Sequence, residues 1–287
     1  MIVKNEEAML ARCLESVKEA DEIVVVDTGS IDKTKEVAAD LADKISDFEW
    51  CDDFAKARNY AKSLCTGDWI LSIDADEVLE DDGIAKIKEF LSSYEPKKGV
   101  VGIKMKSGNT EYHVVRLFKN SENLFFKGMI HEAINEVAED KINVTITFGS
   151  SPAHILDPER NLRILQKAYE EDPSNPRVTY YLGREFGYKQ DWRKCISYLE
   201  KYITIATWLP EKADAYFMLA VCYWNIAQGE LARMCCLKAM NINANFKAPI
   251  LLMAHMSFEK NAEQWRKMAE TATNEDTLFA RENFGII

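Results

Sequence analysis

The chain has 287 residues, 47% of them hydrophobic, enough for one large domain or two ordinary ones with real cores. A net charge of −11 excludes broad electrostatic binding to nucleic-acid phosphates and leaves only a local basic groove open. The seven cysteines are odd in number and form no CxxC or zinc-ligand spacing, so free thiols, a reducing compartment and a cytoplasmic protein are expected.

Met1-Ile2-Val3 leads directly into Lys4-Asn5-Glu6-Glu7, so no signal peptide is expected, and no later apolar run approaches about 18 residues, the length of a membrane span. Leu10, Cys13, Leu14 and Val17 mark a helix, for which Asn5 and Glu6 could supply an N-cap. Ile23-Val24-Val25-Val26 is an apolar β-branched run, typical of a strand buried on both faces. It ends at Asp27-Thr28-Gly29-Ser30, where the Asp27 carboxylate suits both the turn and a ligand. Asp32-Lys33-Thr34 opens a helix through Leu41, and Ile45 sits in a short strand. Asp53 can cap the next helix, whose Phe54, Ala57, Ala61 and Leu64 share one face. Thr66-Gly67-Asp68 stops it. The segment from Asp68 to Glu77 then reads as a short strand delivering Asp74, Asp76 and Glu77 at its end. This alternation predicts an α/β unit with one parallel sheet, whose ligand crevice lies at the strands' carboxyl ends.

Strands are expected at Val100–Lys106, Tyr112–Lys119 and Val144–Phe148, with Ser107-Gly108-Asn109 turning a hairpin. Glu136, Glu139 and Asp140 read as a solvated acidic face. After Asp157-Pro158 the pattern becomes continuously helical, and Leu182-Gly183 to Cys195 echoes Leu219-Ala220 to Ala232 at an offset near the 34-residue period of helix-hairpin repeats. The aromatic stripe there is packing material. The expected domains are therefore 1–156 and 157–287.

Five segments carry a resemblance that covers nearly the whole chain. They are Ile2-Val3-Lys4-Asn5-Glu6-Glu7, the run from Val25 to Thr34, Phe54-Ala55-Lys56-Ala57-Arg58-Asn59, Ile73-Asp74-Ala75-Asp76-Glu77 and Gly128-Met129-Ile130-His131-Glu132. In this order they resemble the family-2 glycosyltransferases of GT-A fold with a C-terminal tetratricopeptide extension, relatives of lipopolysaccharide-core glucosyltransferases and peptide S-glycosyltransferases. Ile31 departs from the family's usual Ser or Thr, and Ile155-Leu156 from its Gly-Tyr pair.

The resemblance implies an inverting, metal-dependent glycosyltransferase with a nucleotide-sugar donor, a UDP-sugar by preference. It implies donor contacts from Val3, Asn5, Glu6, Asp27, Thr28, Gly29, Arg58, Asp74 and Ala75. Asp76, Asp74 and His154 would hold Mn²⁺ or Mg²⁺, hard cations that suit oxygen ligands and offset a diphosphate's charge. Glu132 is the candidate general base, with His131 as its rival. Bland readings stand beside these: an acidic turn, a loop histidine, a solvated Arg58, and a helix start at His131-Glu132. Saccharide or peptide acceptors rank above nucleic acid, and a homodimer through the helical domain is open. The competing function is a tetratricopeptide interaction module carrying an inactive transferase-like domain.

Overall fold

In the computed structural model the run after Ile23 forms strand β2 (Val24–Asp27), buried at every position as a strand covered on both faces must be. It is the centre of a three-stranded parallel sheet, flanked by β1 (Ile2–Val3) and β3 (Lys44–Asp47). Helices α1 (Leu10–Ser16) and α2 (Thr34–Leu41) make the two crossovers. The Asp53 side chain accepts the Lys56 N–H at 2.9 Å and so caps α3 (Phe54–Ser63). The structure describes residues 1–108, 110–149, 151, 157–275 and 277. They divide into two units, Met1–Arg160 and Asn161–Ile287. Asn109 of the expected hairpin turn and the expected boundary at residue 156 lie outside the described residues.

The acidic-tipped strand does not extend the parallel sheet. Strand β4 (Trp69–Leu71) instead edges a mixed five-stranded sheet with β5 (Glu77–Leu79), β6 (Val100–Ser107), β7 (Thr110–Lys119) and β10 (Asp140–Phe148), in the order β4-β7-β6-β10-β5. The reason is length. The two-residue β1 offers little edge, whereas the ten-residue β7 pairs antiparallel with all of β4, from Trp69 opposite Lys119 to Leu71 opposite Leu117. One hydrophobic cluster still joins both sheets, with Val25, Ile73, Ala75, Leu79, Val101, Ile103 and Ile146 in a single core. Because β4 stops at Leu71, Asp74-Ala75-Asp76 forms the turn into β5, anchored by buried Ala75. Helix α4 (Gly83–Ser93) follows. Strands β8 (Phe126–Lys127) and β9 (Ala133–Ile134) pair as a small hairpin, so His131-Glu132 precedes a strand and is not a helix start.

The second unit continues α5 (Arg160–Glu171) into α6 (Pro176–Tyr188), α7 (Trp192–Ile205), α8 (Leu209–Asn225), α9 (Gly229–Ile242), α10 (Lys247–His255) and α11 (Glu259–Thr271). Helices α7 and α9 begin 37 residues apart (229 − 192), the offset seen in the sequence. The Asn175 and Asp191 side chains cap α6 and α7. A Cβ on Gly183 would sit 2.7 Å from Leu199 Cδ2, so glycine there lets α6 close onto α7. Between the helices Tyr180 donates to Asp214 (2.6 Å) and Tyr202 to Glu211 (2.7 Å), so one oxygen of each buried acid accepts from a neutral hydroxyl. Among the described residues no helix is long and apolar enough to cross a membrane.

Candidate active site

The β4–β5 turn is built around a charge network. Asp74 receives Arg58 Nη2 on one oxygen (2.8 Å) and Arg116 Nη2 on the other (3.2 Å). Arg116 also donates to Glu77, which accepts the Asp74 N–H at 2.8 Å. Arg58 turns its Nε to Glu132 Oε1 at 2.5 Å. One guanidinium therefore ties α3, the acidic turn and the loop before β9 together. The backbone supports it: the Phe54 N–H donates to the Met129 carbonyl (2.8 Å), pinning that loop to the start of α3, and Gly128 supplies a φ of +100° that favours glycine. Burial opposes charge on both Arg58 and Asp74, yet the opposite charges prevail. Asp74 is held well below the usual carboxylate range by Arg58 and Arg116, and Arg58 is held above its ordinary value by Asp74 and Glu132. Burial pushes Glu77 up to about 7, with Arg116 opposing and the Asp74 charge adding to the rise. Asp76 is half-buried and makes no side-chain hydrogen bond or ion pair among the described residues.

A second cluster surrounds the end of β2. Asp27 is 1% exposed, and its Oδ1 accepts both the Gly29 and Ser30 N–H groups at 2.9 Å. Its buried Oδ2 has no hydrogen-bond partner among the described residues. The turn reading of Asp27 thus accounts for one oxygen and leaves the other as an unmatched acceptor. Thr28 donates its N–H (2.9 Å) and hydroxyl (3.0 Å) to the Val3 carbonyl. Asn5 has φ +57°, accepts the Ile31 N–H (2.9 Å) and donates its own N–H to Ser30 (2.9 Å), so it braces the loop and does not cap α1, whose N-cap is Met9. Glu6 accepts the Ser151 hydroxyl at 2.6 Å.

The two clusters lie close together. The Gly149 N–H donates to the Asp76 carbonyl (3.2 Å), and Ser151, two residues on, reaches Glu6. Two residues of chain span at most about 7 Å, so Asp76 and Glu6 border one region. Val3, Asn5, Asp27, Thr28 and Gly29 are joined by the bonds around the end of β2, and Glu6 follows Asn5 in the chain. Arg58, Asp74 and Glu132 are joined by the charge network, Asp76 lies in the same turn as Asp74, His131 precedes Glu132 in its loop, and Ala75 faces the core. His154 lies outside the described residues. Arg58, whose bland reading was a solvated charge, is 12% exposed at its side chain and held by two carboxylates.

As a cation site the turn fits through one carboxylate. Asp76 is an open hard-oxygen donor, but Asp74 would have to release two guanidiniums, and no group of three His, Cys, Asp or Glu gathers among the described residues. Arg116 and Glu77 join the network without having stood among the expected site residues. The signal for Arg116 was a single charge inside the apolar run Val114-Val115-Arg116-Leu117-Phe118, where an inward residue must find a partner.

A family model described as Glycosyl transferase family 2 matches residues 1–151, just over half the chain. The SPbeta prophage-derived glycosyltransferase SunS of Bacillus subtilis is 28% identical over 219 residues, which are 71% of this chain and 52% of that protein. A TPR repeat-containing protein of Synechococcus elongatus is 38% identical over 159 residues, 53% of this chain and 40% of that protein. The chain thus spans about half the length of these relatives or less. Among solved structures, S. aureus TarS 1-349 in complex with UDP-GlcNAc is 15% identical with a TM-score of 0.48, over 82% of this chain and 89% of that one.

Proposed function

The chain belongs to glycosyl transferase family 2, and from that premise we propose that its first unit transfers a sugar from a nucleotide diphosphate donor, a UDP-sugar, to a hydroxyl or thiol of a saccharide or peptide, with inversion. One observation carries the reading: Arg58 joins Asp74 to Glu132, two acids from segments far apart in sequence, beside the open carboxylate of Asp76. A buried arginine network of this kind fixes a carboxylate in place before substrate arrives.

In this reading the unmatched Asp27 Oδ2 accepts an N–H of the base, and Val3, Asn5, Glu6, Thr28 and Gly29 shape its pocket. Asp76 and His154 would hold Mn²⁺ or Mg²⁺ against the diphosphate. When bound, the ion supplies Lewis-acid neutralisation of the leaving group's charge. Arg58 is charged and holds Glu132 by Oε1, which leaves Oε2 to take the acceptor proton as the acceptor oxygen or sulfur bonds to the anomeric carbon. The bond from that carbon to the diphosphate breaks, and its electron pair leaves with the nucleotide. His131 is the alternative proton acceptor, held at φ +53° in the same loop.

The test is mass spectrometry of the purified protein offered a panel of nucleotide sugars with Mn²⁺. One donor is consumed by wild type, and Glu132→Gln slows consumption by about 10²–10⁴-fold. Equal consumption by both would remove Glu132 from the reaction. One observation favours the competing reading, an interaction module with a silent transferase-like unit: both Asp74 oxygens are already held by arginines. If no donor in the panel is consumed, that reading gains.

A further inference from the structure

Helix α9 has two unlike faces. Ala232, Cys235, Cys236 and Ala239 are buried against their own unit. On the opposite side Leu231, Met234 and Leu237 are 38%, 51% and 50% exposed, and Glu230 and Lys238 are exposed next to them. Spacings of three and four residues put all five on one face, an apolar seam edged by charge. The Lys238 ammonium lies 5.4 Å from the centre of the Tyr216 ring of α8, so its stem is held along the surface.

The order of the charges selects the occupant. Glu230 stands four residues before Met234 and Lys238 four residues after it. Let a second α9 lie antiparallel, with a twofold axis at Met234. Leu231 then comes level with the partner's Leu237, and Glu230 with the partner's Lys238, and the symmetry makes each pair twice. A parallel arrangement would set Glu230 level with the partner's Glu230 and Lys238 level with the partner's Lys238, which repels. The face is self-complementary in one sense only.

We propose that α9 is the contact through which two copies of this chain associate, as an antiparallel helix pair centred on Met234. The inference rests on the second unit alone and does not depend on the transfer reaction. The helix has 14 residues and is about 21 Å long, and one such pair buries less than the roughly 1,600 Å² of a standard stable interface. The association is therefore reversible and concentration-dependent, in the micromolar range or above.

Sedimentation of the full chain from about 1 to about 200 µM reads it directly, a range that brackets such weak contacts. Wild type moves from 32.8 kDa toward twice that mass with rising concentration. Met234→Arg places two like charges at the axis and stays monomeric, with its helical circular dichroism unchanged. Glu230→Lys and Lys238→Glu each weaken the dimer about tenfold or more, while the double reversal Glu230→Lys/Lys238→Glu restores it, because the lysine and glutamate merely change places. A wild type that remains monomeric throughout overturns the proposal. So does a Met234→Arg variant that dimerises normally, or a double reversal no better than the single ones.

Discussion

Arg58 holds two carboxylates at once, and that decides what its loss would do. Removing it leaves Asp74 and Glu132 without their shared partner in a setting where both are largely buried. We expect Arg58→Ala to destabilise the first unit by about 3 kcal/mol or less, below the usual cost of breaking a fully buried pair, because Asp74 keeps Arg116 and is 29% exposed. Arg58→Lys keeps the charge but lacks the planar fork needed to reach both acids, so it should refold well and still lose most donor turnover. Urea titration together with donor hydrolysis separates the two effects. Asp27 offers a cleaner probe. Asp27→Asn keeps the oxygen that accepts the Gly29 and Ser30 N–H groups but turns the unmatched acceptor into a donor. UDP affinity should fall about tenfold or more with the melting temperature nearly unchanged. At this scale the sequence was legible where a residue's type and its neighbours limit its role, as with Asp27 in a turn or Asp53 at a helix start. It was not legible where the partner comes from a distant segment. Nothing near Glu132 in sequence announces Arg58, and nothing near Asp74 announces Arg116.

Elements followed their local patterns closely. The β-branched run, the helix capped by Asp53 and the 37-residue echo of α7 in α9 all depend on spacing within a window. Strand partnership does not, and this is why β4 paired with β7 and not with the parallel sheet. The helical unit also carries a pH dependence that its sequence concealed. Glu211 is 4% exposed, and burial raises its pKa, with Asp214 adding while the Tyr202 hydroxyl, Arg177 and Arg184 oppose. Between the ordinary glutamate value and this raised one the folded chain keeps a proton that the unfolded chain has released. Stability of the helical unit therefore falls as pH rises across that window and is fully present below it. Glu211→Gln should flatten this slope in urea unfolding followed by helical circular dichroism at stepped pH. A slope unchanged in the variant would assign the dependence to another group.

The whole molecule combines a unit of glycosyl transferase family 2 with a unit of helical hairpins, and each carries its own polar network. The division was visible in the sequence as a change of pattern after Asp157-Pro158, because continuous helix and strand–helix alternation differ over any long window. What the outer faces of the helices bind was not visible, since that depends on a surface and not on a period. In the proposed function the region of the first unit bordered by Asp27, Glu6 and Asp76 binds a nucleoside diphosphate together with a divalent cation. Isothermal titration of UDP into the full chain, with and without Mn²⁺, measures this directly. Wild type should give binding heat that strengthens with Mn²⁺, and Asp76→Ala should lose the Mn²⁺-dependent part. No heat in wild type, or the same Mn²⁺ enhancement in Asp76→Ala, would contradict it.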